Sequence, residues 1–235
     1  AVIDRACQRV LRGKLWLGLF DNSFTDPQEA DRVCDCAAHR QLALEAAERC
    51  TVLLKNTGLL PLSKNINSLA VIGPNADQVR LGGYSTFGTR VITVWEGIRN
   101  KVSERTRLYF AEGCKVNNLS EAGFSKAVAA ARKAEAAILV MGNSGETEGE
   151  NRDRCDLNLP GVQEDLIKAV VDTGTPVVVV LVNGTAVTMA NWIDHVEAVV
   201  EAWYPGEEGG NAVASILFGE CNPVGRLPIT FPKLT

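Results

Sequence analysis

Histidine occurs only twice in these 235 residues, methionine twice, and the seven cysteines include no Cys-x-x-Cys pair. The closest thiols, Cys34-Asp-Cys36, do not have the spacing of a structural zinc site, and two imidazoles add little to a ligand set. A zinc site is therefore not expected. An odd cysteine count leaves at least one thiol free or paired outside the chain. Cys7 and Cys50 read as small buried apolar residues. Excess positive charge is also missing. The formal net charge is -4, which argues against a nucleic-acid partner. Long apolar runs are absent too. The longest, "PVVVVLV" from Pro176, has strand length and is far short of a membrane span. Neither G-x-G-x-x-G nor G-x-x-x-x-G-K-[ST] occurs, so the "GPNAD" at Gly73 does not make a nucleotide loop. Ser144 and Ser215 lack the surroundings of a nucleophile elbow. His195 reads as a structural residue and His39 as a surface or interface residue. The N-terminal stretch has no signal-peptide core and no initiator Met, and reads as part of something longer.

What is present is a 46% hydrophobic chain that can fill a sizeable core. Residues 1–22 carry apolar side chains at helical spacing, and a second helix is expected over 31–53 with Ala37, Leu42, Leu44, Ala47 and Val52 inward. Residues 55–65 read as a loop. Strands and helices then alternate. Strands are expected at 68–76, 107–114, 136–142, 176–184 and 197–206. Helices are expected at 94–102, 120–134 with Ser120 as N-cap, 160–174, 188–196 and 209–219. The strand runs are apolar on both faces. The fold class is therefore α/β, a mainly parallel sheet with helices on both faces, a three-layer sandwich. Ligands in such sheets bind at the carboxyl ends of the strands. The loops there are 73–88, 142–154, 183–189 and 203–210.

One of them concentrates charge. "NSGETEGENRDRCDLNLPG", Asn143–Gly161, puts Glu146, Glu148, Glu150, Asp153 and Arg154 after a core strand. Arginines among closely spaced carboxylates can hold one acid ionised while another keeps its proton, which is the arrangement acid/base chemistry needs. A solvated acidic turn is the plain alternative. Gly82-Gly83-Tyr84 reads as a turn or as backbone that approaches a ligand. Gly206–Gly210 reads as a helix start or as the lining of a polar pocket. The sequons at Asn118 and Asn183 are short enough to arise by chance, and the second follows a core strand too closely to be used.

Several stretches together resemble glycoside hydrolase family 3, the β-glucosidases and β-xylosidases. They are "AAERCTVLLKNTGLLPL", "LAVIGPNAD", "GGYS", "ETEGENRDRCDLNLPGVQEDLIKAV", "PVVVVLVNGTAV" and "VEAVVEAWYPGEEGGNAVASILFGECNPVGRLPITFP". The resemblance implies an α/β sandwich domain at residues 51–235. It implies the last helix of a (β/α)8-type barrel at 1–22, and a linker with a first helix at 23–50. It also implies retaining exo-hydrolysis of terminal β-D-glucosyl or β-D-xylosyl units, with a barrel aspartate as nucleophile and an acid/base glutamate from this domain. Glu148 is the first choice for that role, with Glu150 and Glu146 as alternates. Gly83, Tyr84, Asp153 and Arg154 are the expected substrate-binding or loop-ordering residues. The implied partners are an oligosaccharide or glycoside and the barrel of the same enzyme, and no metal or organic cofactor is implied. Neither nucleic acid nor membrane is expected, and the location is extracellular or in the secretory pathway. The sequence contains no Ser-Asp-Trp or Thr-Asp-Trp stretch for the nucleophile, so the chain alone is expected to be inactive. The rival expectation is a non-catalytic sugar-binding or interaction module built on the same fold.

Overall fold

The computed structural model describes residues 1–85 and 90–234. The chain divides into two compact units, Ala1–His39 and Arg40–Thr235. This division falls eleven residues before the expected start of the sandwich at residue 51. The first unit holds helix α1 (Val2–Trp16), which buries none of its residues, and α2 (Pro27–Val33), whose N-terminus is capped by Asp26. α3 (Ala37–Cys50) follows.

The expected helix over 31–53 is in fact interrupted and ends early. Asp35 sits at φ 56°, a left-handed conformation that a continuous helix does not accept, and it separates α2 from α3. Leu42, expected to face inward, is exposed, while Ala47 is buried. Beyond Cys50 the backbone extends into β1 (Val52–Asn56), within the segment expected to be helix end and loop. Cys7 and Cys50 are exposed rather than buried, because neither helix turns that face to a core.

The second unit is built on six strands. They are β1, β2 (Ser68–Ile72), β3 (Arg107–Ala111), β4 (Ala136–Gly142), β5 (Val177–Val182) and β6 (Ala198–Glu201), in the order β1-β6-β5-β4-β2-β3. Five run parallel and β1 pairs antiparallel with β6. Every residue of β2, β4, β5 and β6 is buried, so their near-continuous apolar sequence follows from having both faces covered.

Successive side chains alternate between two cores. Leu139, Met141, Val179 and Leu181 face α5 (Phe124–Ala131) and α6 (Gln163–Val171). Ile138, Val140, Val178 and Val180 face α4 (Val94–Lys101) and α7 (Gly209–Leu217). The helices follow the expected order but are shorter. α5 starts at Phe124 without a side-chain cap, and the Ser120 hydroxyl instead accepts from the Ala122 N–H. The expected helix at 188–196 is a single 3-10 turn, Ile193–His195, which leaves His195 exposed.

The chain leaves β2 toward β3 on one side and returns to β4 on the other. This makes the carboxyl ends of β2 and β4 a topological switch point, where a crevice opens in sheets of this kind. The acidic segment begins there.

Candidate active-site loop

β4 ends at Gly142, φ 131°, where an added Cβ would lie 2.1 Å from the Val182 carbonyl oxygen. Only glycine lets the strand turn out at this point so close to β5. The exit is held by Gln163, fully buried at the start of α6. Its Oε1 accepts from the Gly142 N–H at 2.8 Å, and its Nε2 donates to the Gly142 carbonyl at 2.8 Å and to Val116 O at 3.0 Å. The residue reads in sequence as one more polar position of an amphipathic helix, and nothing there distinguishes it. Beside it, buried Asn75, three residues past the end of β2, donates to the carbonyls of Asn143 and Val182 at 3.1 and 3.3 Å. Its own oxygen accepts from Arg80 Nε at 2.8 Å.

From Ser144 the loop makes one tight turn. The N–H groups of Thr147 and Glu148 both donate to the Ser144 carbonyl. This turn sends the three glutamates to different places. Glu146 is exposed and borders a polar cavity of about 390 Å³ with Gln78, Arg80 and Lys115. Glu148 is buried, 7% exposed. One of its oxygens accepts from the Gly184 N–H, and the other accepts from the Thr185 hydroxyl at 2.8 Å. Positive φ at Gly149 (140°) and Asn151 (61°) then reverses the backbone, so that Glu150 emerges exposed and accepts from the Tyr84 hydroxyl. That bond raises the Tyr84 pKa above the ordinary phenol value.

Arg154 Nη1 donates to the Thr185 hydroxyl at 3.0 Å and its Nη2 to the Asn158 carbonyl, which ties the end of the loop to the turn after β5. Asp153 is exposed. Gly83 is exposed with open space where a side chain would be, while Gly82, φ 88°, approaches the Tyr204 ring. The loop expected at 73–88 runs out at its far end, where residues 86–88 lie outside the described residues. Gly206–Gly210 leads into a helix start, and Gly206, Gly209 and Gly210 also line a small cavity with Asn75 and Arg80. Glu208 is buried and paired with Arg40, and Gly209 opens α7.

A second layer lies beneath Glu148. The Tyr204 hydroxyl is buried next to it, and burial together with the neighbouring carboxylate pushes that hydroxyl well above its usual range. Glu201, the last residue of β6, is fully buried, and burial pushes its carboxyl up to about 8. Neither is legible in the sequence, because a single glutamate at the end of an apolar run and a lone tyrosine three residues on carry no spacing signal. The structure thus brings Glu148, Arg154 and the 183–185 turn together, brings Tyr84 to Glu150, and leaves Glu146 on the other side of the loop.

The comparisons with known proteins agree with this architecture. A family model described as the glycosyl hydrolase family 3 C-terminal domain matches residues 51–235. A "Beta-xylosidase" of Formosa agariphila is 41% identical over 98% of this chain and 33% of its own length. A "Periplasmic beta-glucosidase" of Salmonella typhimurium is 35% identical over 99% of this chain and 34% of its own. Among solved structures, a β-glucosidase from Listeria innocua in complex with glucose superposes with a TM-score of 0.86 at 30% identity, over 96% of this chain and 31% of the other. The chain spans about a third of the length of these relatives. By sequence and by fold, this chain belongs to glycosyl hydrolase family 3, and its residues 51–235 are a C-terminal domain of that family.

Proposed function

We propose that this domain supplies the acid/base carboxylate of a retaining exo-β-glycosidase acting on terminal β-D-xylosyl or β-D-glucosyl units, and that Glu150 is that carboxylate. Support for the substrate class comes from relatives named β-xylosidase and β-glucosidase. The assignment within the loop rests on one contrast. Both oxygens of Glu148 are engaged inward by Gly184 and Thr185, whereas Glu150 stands exposed at the tip with the Tyr84 hydroxyl as its partner. An acid/base group has to reach an oxygen held in a pocket outside its own domain, and a carboxylate anchored in a buried turn cannot. The sequence placed Glu148 first. The geometry favours it as the anchor that sets where Glu150 stands.

The two steps follow from the chemistry of retention. A carboxylate from the barrel domain attacks the anomeric carbon while Glu150 gives its proton to the departing glycosidic oxygen. Water then attacks the glycosyl ester, Glu150 takes the water's proton, and the barrel carboxylate leaves. The two carboxyl groups need to lie about 5 Å apart. The chain by itself then holds half of the pair and turns over no glycoside.

The test uses the complete enzyme carrying this domain, with Glu146, Glu148 and Glu150 changed singly to Gln. Glu150→Gln is expected to slow hydrolysis of alkyl glycosides about 10²- to 10⁴-fold, and to slow glycosylation from aryl glycosides with acidic leaving groups far less, because those need little protonation. If Glu146→Gln or Glu148→Gln shows that selective pattern and Glu150→Gln does not, the assignment is wrong.

A further inference from the structure

A carboxyl is an expensive residue to place in the middle of a sheet without a cation beside it, and Glu201, fully buried, has none among the described residues that act on it. It lies opposite Leu181 in the parallel ladder, two residues before β5 gives way to Asn183. Its two oxygens serve two different segments. Oε1 accepts from the Trp203 N–H at 2.8 Å. That bond spans the bend at Trp203, which lies at φ 59°, a left-handed conformation costly for a side-chain-bearing residue. The bend carries the next residue, Tyr204, to its place against Gly184 and Glu148. Oε2 accepts from Asn183 Nδ2 at 3.2 Å, and the same amide nitrogen donates to the Thr185 carbonyl at 2.8 Å. Asn183 is itself fully buried and so clamps the 183–185 turn from inside. Gly184 and Thr185, the two residues so held, are the ones whose N–H and hydroxyl receive Glu148. Both arms of Glu201 therefore converge on the carboxylate that anchors the acidic loop.

We infer that Glu201 is a positioning residue for the acid/base loop: through Asn183 and through the bend at Trp203 it fixes the seat into which Glu148 locks, and thereby the place of Glu150. The inference rests on the functional reading above and adds to it a residue from the opposite side of the sheet edge.

The charged and titratable groups around this seat are Glu148 from the acidic loop, which opposes ionisation of Glu201, and Tyr204, which faces Glu148 and also feels Arg80 and Arg154. A neutral Glu201 leaves Glu148 as the single charge of the pair. The amide oxygen of Asn183 is buried and without a partner among the described residues, on the same side chain whose nitrogen donates to Glu201. Ionising Glu201 puts a second negative charge under Glu148 and works against the seat.

The experiment has an arm on the chain itself and an arm on the complete enzyme. In the chain, the backbone amide resonance of Gly184 reports its bond to Glu148. In the wild type it should stay in place from pH 6 to 7 and move with a midpoint near 8. The movement should be absent in Glu201→Gln, which keeps the shape without the charge, and the resonance should be displaced at every pH in Glu201→Leu. In the enzyme, Glu201→Leu should lower turnover of alkyl glycosides about 100-fold with KM within about two-fold and aryl glycosides little affected, and Glu201→Gln should retain most activity while shifting the alkaline limb of the profile. A Gly184 resonance that ignores both pH and Glu201→Leu overturns the inference. So does a displaced resonance with catalysis untouched, or a loss that falls equally on both substrate types. The wild-type titration and the Gln variant decide the matter even where Glu201→Leu folds poorly. The role of Glu150 stands or falls separately on Glu150→Gln.

Discussion

Arg154 and Glu148 meet on one hydroxyl. Thr185 Oγ1 accepts from Arg154 Nη1 at 3.0 Å and donates to Glu148 Oε2 at 2.8 Å, so one side chain after β5 holds both the middle and the end of the acidic loop. Thr185→Val keeps the volume and removes both bonds, leaving a buried carboxylate oxygen and a guanidinium without that partner. The expected cost is about 1–3 kcal/mol in urea unfolding of the chain. A variant as stable as the wild type would mean that water replaces the hydroxyl at no cost.

Stability should fall as pH rises through the acid range, because of Glu201. Its unfolded carboxyl ionises near 4.5, while burial keeps the folded one neutral until about 8. Between these values the unfolded chain has released a proton that the native chain still holds, so folding is penalised by about 1.4 kcal/mol for each pH unit, as an upper bound. The penalty is absent below pH 4 and complete above pH 8. Glu201→Gln removes this contribution, so the difference between variant and wild type should grow in the variant's favour from pH 4 to 8. Unfolding curves that run parallel across that window would refute the burial argument.

Two glycines with nearly the same φ should respond very differently to alanine. Gly142 (φ 131°) has the Val182 carbonyl 2.1 Å from where a Cβ would stand, while Gly149 (φ 140°) has open space. Gly149→Ala should cost about 1–3 kcal/mol, the backbone term alone. Gly142→Ala must also separate β4 from β5, and should leave little soluble folded chain. Similar melting temperatures for the two variants would contradict the close approach at Gly142.

Glu220 joins Lys64 and Lys101 at the surface, and these two ammonium groups hold its carboxyl down to about 2. The three side chains are partly exposed, so solvent screens the pairs. Glu220→Gln should cost less than about 1 kcal/mol at low salt and nothing measurable at about 1 M salt. The wild-type advantage is present above pH 4.5 and fades as pH falls toward 2. A loss that persists at high salt would point to packing instead.

The sheet was readable because β4 and β5 are apolar on both faces over a strand's length, a pattern that helices seldom show between glycines. β1 was not. Val52 and Leu53 extend the periodicity of α3, and only pairing with β6, far along the chain, makes them a strand. Likewise the segment 143–154 announced its carboxylates, but spacing could not rank them. Glu146, Glu148 and Glu150 are every second residue of a loop, and what separates them is an N–H at Gly184 and a phenol at Tyr84, each delivered by another segment. Arg154 was expected to order the loop and tune its glutamate, and among the described residues its side chain bonds Thr185 and the Asn158 carbonyl.

The Gly184 N–H that receives Glu148 belongs to the main chain, and a Cβ at that position would come within 3.0 Å of the carboxylate it holds. No exchange of side chain short of proline can delete such a donor. Proline at 184 aside, heritable change can remove a bonding group of this fastening only at position 148; elsewhere it can push the two ends apart, but both remain in the chain.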